Sequence, residues 1–335
     1  MNIRHTLIAL SAGIFALPSL ALAQLGGDPT TPPAGAPSRV MKSLDQIETR
    51  TPVIDGAPGV TEQSNGGFLI SETGSYYLTE DLVLDSGSGI IISSSGTTLD
   101  LNGYQISRTS GTPDGAGISA LGSNITIKNG SIISLFSISG STVIGEGFVI
   151  GVSSGSSGLR VDNVNIRGTS SDGIAAREAL ITNCIISFTG ANGIYLGFAT
   201  SRFGRVENCT VTSASFNGIQ AKSVTNSTGT SIGEHGILAT HVVDSIGEST
   251  ATGIDDFNGI VATSVTGSHG ISTTGAGISG TTITNCHGET SSTSPGIVSS
   301  FGVVSNSYGL SATGTVGISA PAGNVFSSVS SPAIP

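Results

Sequence analysis

Tryptophan is absent from these 335 residues, and aromatic residues make up only 5%. Sugar-binding faces generally present flat aromatic surface, so tight binding of a neutral glycan is poorly supported. Charge is scarce as well: 10% of residues are charged, and no lysine or arginine follows Lys222. Acids persist beyond that point at Glu234, Asp244, Glu248, Asp255, Asp256 and Glu289, and the formal net charge is −10. Without a basic face the chain cannot neutralise phosphates, which excludes nucleic acid as a partner and disfavours an anionic membrane surface. Beyond the N-terminus no run approaches the ~18 continuous apolar residues of a membrane-spanning helix. Cysteine is limited to Cys184, Cys209 and Cys286. With no Cys-x-x-Cys there is no zinc site of that type. Helical repeats of about 33–34 residues and GGxGxD calcium repeats are also missing.

What the chain has in quantity is glycine, 49 residues, together with Ser, Thr, Asn, Val and Ile, at a mean hydropathy of +0.25. Disordered chains combine low hydropathy with high net charge, so disorder is confined to the ends. From Asp172 to about Ser319 a Gly-Ile step recurs at Gly173, Gly193, Gly218, Gly236, Gly259, Gly277, Gly296 and Gly317, spaced 18 to 25 residues apart. In phase with it run the turn residues Asn183, Asn208, Asn226, Asp244, Gly267, Asn285 and Asn306. A period near 20 with β-branched residues at every second position describes a coiled, stacked chain. In Val206-Glu207-Asn208-Cys209-Thr210-Val211, Val206 points in, Glu207 points out, Asn208 turns the chain and Val211 points in again. Asparagine tolerates left-handed backbone angles, and its amide can bond to the next one along a stack. Each turn of chain then closes as three short strands whose backbone pairs with the turns above and below. Less regular early segments, Ile90-Ile91-Ile92, Thr97 to Asn102, Ile125 to Asn129 and Phe148 to Ile150, form the first turns. The expected fold is an all-β parallel solenoid of roughly 10–13 turns over residues 55–326.

The ends differ in character. Residues 1–23 carry a short basic start (Arg4, His5), an apolar stretch from Leu7 to Leu20 and Ala21-Leu22-Ala23 before Gln24. That is the pattern of a cleaved signal peptide, which implies a secreted, periplasmic or cell-surface protein with no membrane span after cleavage. Residues 24–40 form a Pro/Gly-rich linker. Met41, Leu44 and Ile47 lie three apart, and that spacing predicts a short amphipathic helix over 41–54 that covers the exposed first turn of the solenoid. Residues 327–335 are expected to fray. Each cysteine directly follows a turn residue, where Ser227, Ser245 or Ser307 stands in other repeats. Side chains stacked at ~4.8 Å are too far apart for a comfortable disulfide, so the three read as free packing thiols.

The repeat, the asparagine turns and the TTLDLNGYQIS segment together resemble the right-handed parallel β-helix, or pectin lyase-like, superfamily. The preceding GFLISETGSYYLTEDLVL resembles exported bacterial proteins of that group, and the likeness spans about residues 41–320. The resemblance implies a polysaccharide as the substrate class, but this fold hosts lyases, hydrolases, epimerases and inert rods alike. Polygalacturonase-type hydrolases use an Asp-Asp pair, a Gly-His-Gly and a later Arg-x-Lys. Here Asp255-Asp256 precedes Ser268-His269-Gly270, yet nothing basic follows to grip a uronate, and the 14-residue interval is less than one turn. Pectate lyase-type chemistry requires Ca2+ in an acidic cluster and a base, so Ca2+ enters as a cofactor only if the chain is a lyase.

The best charged cluster lies earlier. Arg160 and Asp162 flank Val161, Arg205 and Glu207 flank Val206 in the same phase, and Arg177 and Lys222 share a second column. These six residues are the candidate substrate-binding set, with Asp255, Asp256 and His269 as weaker acidic candidates and no metal ligand assigned. His235, His241, His269 and His287 lack the i,i+4 helical pairing of a metalloprotease and take turn or surface roles. The expectation is an exported structural or carbohydrate-binding protein of the envelope or matrix, whose partner is a polysaccharide or another envelope component. The alternatives are a lyase or hydrolase acting on an acidic glycan, and a self-assembling surface rod or adhesin.

Overall fold

The structure is a computed structural model, described here for residues 50–108, 111–139, 142–197, 204–253, 256–313, 316–321 and 324–332. Two compact units divide at Thr49 and Arg50. The first lies outside the described residues, and with it the signal peptide, the linker and most of the capping helix expected over 41–54. At the end of that span Thr51–Pro52 is a strand paired in parallel with Tyr76 and Tyr77, not the end of a helix. Proline supplies no N–H for a helix but is tolerated in an outermost strand.

The second unit is all-β. About 12 turns stack as a parallel solenoid, and no helix occurs among the described residues. Each turn contributes a strand to three columns. The first column runs through Ile90–Ile92, Ala116–Ala120, Ile174–Thr182 at its N-terminal part, Ile194–Leu196 and onward to Ile318–Ser319. Its inward position stacks Ile118, Val152, Ile174, Ile194, Ile219, Ile237, Ile260 and Ile278, all in register and all buried. The second column stacks Leu99, Ile127, Val161, Ile181, Val206, Val224, Val242 and Val265 in the same way. β-branched side chains with one dominant rotamer suit such stacks, and each buried Ile or Val contributes about 1.5–3 kcal/mol.

The third column changes along the molecule. Its inward residues are Ile106, Ile132, Ile166, Ile186 and Val211, then Gly229, Gly247, Gly270, Gly288 and Gly309. From Gly229 onward the third-column backbone lies directly against the Gly-Ile backbone of the first. A Cβ on Gly277 would stand 2.3 Å from Glu289 N and 2.5 Å from Gly270 O. The recurrent glycine is therefore a requirement of space, and the solenoid cross-section flattens where Val211 gives way to Gly229.

The turn between the second and third columns is left-handed, as the asparagine pattern predicts. φ is 54–55° at Asn163, Asn183, Asn208 and Asn285 and 61° at Gly267. The side-chain ladder along it is partial. Asn163 Nδ2 donates to Asn129 Oδ1 (3.1 Å) and Asn226 Nδ2 to Asn208 Oδ1 (2.7 Å), but Asn183 Nδ2 turns aside to Asp162 Oδ1 (2.7 Å). A second, internal ladder follows it. The Cys184 N–H donates to Cys209 Sγ (3.5 Å), Cys209 N–H to Ser227 Oγ (3.1 Å), Ser227 N–H to Ser245 Oγ (3.2 Å) and Ser245 N–H to Ser268 Oγ (3.2 Å). This is why cysteine and serine interchange there: each offers a small acceptor to a buried N–H. All three thiols are free and buried. Contact with Cys209 and burial push the Cys184 thiol far up, so it stays protonated.

Two departures from the parallel scheme occur among the described residues. Leu135–Ser139 and Thr142–Glu146 form an antiparallel hairpin, held to the body by Val143 N–H on Ser215 Oγ (2.7 Å). Val60–Glu62 pairs antiparallel with Phe68–Ile70 at the start. The far end also differs from expectation. Residues 329–332 do not fray but add a third-column strand, Val329–Pro332, in parallel with Tyr308–Ser311. Ser307 N–H donates to Ser328 Oγ (3.2 Å), so the internal ladder carries the chain one turn further.

Candidate functional site

Arg160 pairs in register with Leu180, and Leu180 with Arg205; Asp162, Thr182 and Glu207 follow beside them. The two charged pairs thus stand two turns apart on the outward second column, with Leu180 and Thr182 between. Arg205 and Glu207 close an ion pair with one another on the surface. Asp162 Oδ1 accepts from Thr182 Oγ1 (2.7 Å) and Asn183 Nδ2 (2.7 Å) and so holds the turn. Arg160, Leu180 and Arg205 line a shallow depression of about 220 Å³ with Glu178.

Arg177 and Lys222 each directly follow an inward alanine of the first column, Ala176 and Ala221, and both are exposed. Arg177 belongs to a larger groove of about 740 Å³, floored by Ser153, Ser154, Ser156 and Ser157 and flanked by Glu178 and Tyr195. The floor exists because the strand Ile150–Arg167 makes its register shifts between Ser154 and Leu159, where small residues let the backbone recede. Just ahead of the strand that starts at Ile174, burial pushes the Asp172 carboxyl above its ordinary range against hydrogen bonds from Asn192. Asn192 Nδ2 donates to Asp172 Oδ1 (2.9 Å), Asn217 Nδ2 to Asn192 Oδ1 (3.2 Å) and to Glu234 Oε2 (2.8 Å). Burial, and then the charge of Asp172, raise the Tyr195 hydroxyl, which stays protonated.

Of the weaker candidates, Asp256 and His269 do not come together. Asp255 lies outside the described residues; Asp256 is an exposed turn residue ahead of Gly259. Phe257 O next to it accepts from Ser272 Oγ (2.5 Å), at the far end of the strand His269–Ser272 from His269. Three residues of strand, about 10 Å, separate that contact from the imidazole.

His269 instead meets residues that the sequence reading left in surface roles. It pairs in register with His287, and His287 with Tyr308, on the outward third column. The two imidazoles stack at 4.6 Å and 3°. Glu289 lies two residues beyond His287 and so projects from the same face. Its Oε1 is 3.2 Å from His269 Nε2 and 3.3 Å from His287 Nε2. Burial, and then the neighbouring His269, hold His287 below the ordinary imidazole pKa against the pull of Glu289. A signal was present in the sequence. His269 and His287 are 18 residues apart, one turn of the solenoid, and each directly precedes an inward glycine. The helical spacing i,i+4 is the wrong ruler for a stacked chain.

Residues 66–224 match the family model described as right handed beta helix region. The match stops five residues before Gly229, where the cross-section flattens. No curated protein matches the chain. Among solved structures, the Azotobacter vinelandii mannuronan C-5 epimerase AlgE4 A-module is similar at 12% identity and a TM-score of 0.37, covering 76% of this chain and 86% of that one. An alginate lyase from Paenibacillus sp. str. FPU-7 is similar at 14% identity and a TM-score of 0.24, covering 74% and 98%. Likenesses this distant carry no activity across. The parallel register of all three columns, the left-handed asparagine turns and the match over residues 66–224 give the chain the fold of a right-handed parallel β-helix.

Proposed function

We propose that this chain is an exported β-helix protein of the cell envelope or extracellular matrix that binds carbohydrate through the groove between Ser153 and Tyr195. The observation that carries this reading is the lining of that groove: a serine floor, one guanidinium, one carboxylate and one aromatic ring among the described residues. Serine hydroxyls donate to and accept from sugar hydroxyls. Tyr195 adds an aromatic ring to the lining, and Arg177 matches a uronate carboxylate. Lyase or hydrolase action would call for acids clustered with a base around the scissile bond. The groove itself is lined by a single carboxylate, Glu178, among the described residues, and the nearby Asp162, Glu207 and Asp172 bond to Asn183, Arg205 and Asn192.

The test is a panel of pectins, alginates and neutral glycans offered to the purified protein, with Ca2+ and then with EDTA, scoring both binding and turnover. The expected result is binding of an acidic glycan without new reducing ends or unsaturated product. Arg177→Ala should weaken that binding by about tenfold, the loss of one charge-assisted contact. Turnover that disappears in Arg205→Ala or Glu207→Ala would establish the lyase or hydrolase alternative instead.

A further inference from the structure

Away from the groove, the outward third column brings two imidazoles and a carboxylate within reach of a single point. His269, His287 and Glu289 each offer one ligand atom, and the three atoms lie within 4.8 Å of one another. We propose that His269 Nε2, His287 Nε2 and Glu289 Oε1 bind a divalent transition-metal ion of the zinc type, with a fourth position open to water or a ligand.

The distances support the assignment. Ligand atoms about 2.0–2.1 Å from a tetrahedral zinc stand about 3.3 Å from each other. Glu289 Oε1 already stands 3.2 Å from one Nε2 and 3.3 Å from the other. His269 Nε2 is hydrogen-bonded to Glu289 Oε1, itself a proposed ligand. His287 Nε2 is sealed from solvent and has no hydrogen bond of adequate geometry among the described residues. Burying a polar nitrogen without a partner costs free energy that a coordinate bond would recover. Two imidazoles and one carboxylate are the donor set of a zinc site that keeps an open position. Calcium and magnesium select oxygen ligands and would gain little from it.

Stacking at 4.6 Å and 3° keeps the in-plane lone pairs of the two rings from converging on one atom. Binding therefore turns one ring out of the stack. Both histidine side chains are about one-third exposed, at 34% and 38%, which leaves room for that rotation. Tyr308 closes one side of the stack, its ring 4.9 Å from that of His287. The same outward position one turn before His269 is held by the exposed Ile246. The ion would thus sit between apolar walls on an otherwise polar sheet, where water competes less well for its ligands.

The experiment is titration of untagged, metal-free protein with ZnCl2 by calorimetry, with CaCl2 as the comparison and CoCl2 for visible absorption. Expected are one zinc per chain, no comparable calcium heat, and a cobalt spectrum of tetrahedral intensity. His287→Ala and Glu289→Gln should each weaken zinc by at least about tenfold, since even residues that only support a ligand cost 10–100-fold. His241→Ala, an exposed imidazole on another column, should leave zinc affinity unchanged. All these side chains face outward, so circular dichroism should report an unchanged β fold; Glu289→Gln, close to isosteric, decides the matter if an alanine variant unfolds. No saturable zinc binding would overturn the proposal, as would affinity insensitive to His287→Ala and Glu289→Gln, or affinity lost equally in His241→Ala. Glycan binding at the groove is read separately, so failure of either proposal leaves the other standing.

Discussion

At the scale of the residue, the left-handed turn and the buried position after it decide what each repeat tolerates. Ser245 is 2% exposed and its Oγ receives the Ser227 N–H at 3.2 Å. Ser245→Ala leaves that buried donor without a partner and should cost about 1–3 kcal/mol in urea unfolding. Ser245→Cys should cost less than about 1 kcal/mol, because Cys209 and Cys286 already fill the equivalent place two turns away on either side. His235 supplies a pH test. Burial holds its pKa below the ordinary value, and the Asn258 N–H donated to Nδ1 (2.9 Å) needs a lone pair there. The unfolded chain, titrating near ~6.5, therefore binds more protons than the folded one as pH falls below that value, so stability drops in that window. His235→Asn matches Asn192, Asn217 and Asn258 in the same turn position. It should flatten the decline below about pH 6.5 relative to the parent protein. Burial raises the neighbouring Glu234 carboxyl, so its contribution has the opposite sign and is felt at lower pH.

At the scale of the strand and its column, glycine governs. Gly277 faces the third-column backbone with no space for a methyl group, whereas Gly253 has nothing within 4 Å of where a Cβ would stand. Gly277→Ala should therefore destabilise the solenoid by about 3 kcal/mol, the upper range of overpacking. Gly253→Ala should be close to neutral, and thermal unfolding of the two variants side by side checks the contrast. The Gly-Ile step was legible as a repeat long before its cause was. Its partners in space, Gly229, Gly247, Gly270, Gly288 and Gly309, sit in four-residue strands such as His269–Ser272, where x-G-x-S reads as low-complexity sequence. Only the register shows that one glycine stands where Ile132, Ile166 and Ile186 stand in earlier turns.

At the scale of the whole chain, period and composition were enough to announce a parallel solenoid, because every turn solves the same problem with the same residues. A β-branched residue at alternate positions buries one face, and asparagine occupies the left-handed corner. The family match over residues 66–224 and the register of the columns agree with that reading. The outward phase of Arg160, Asp162, Arg205 and Glu207 was legible too, since it follows from side-chain alternation within one short strand. What could not be read is which outward side chains meet, and which already have partners. Whether Asp162 is free or holds Asn183 depends on its geometry across two turns. The meeting of His269 with Glu289 depends on a turn length that varies between 18 and 25 residues. The sequence by itself thus determined the repeat, the inward faces and the kind of turn, because those are local consequences of residue type. The flattening at Gly229, the serine-floored groove and the two-histidine cluster were decided only by the tertiary structure, because stacking brings together atoms a full turn of chain apart.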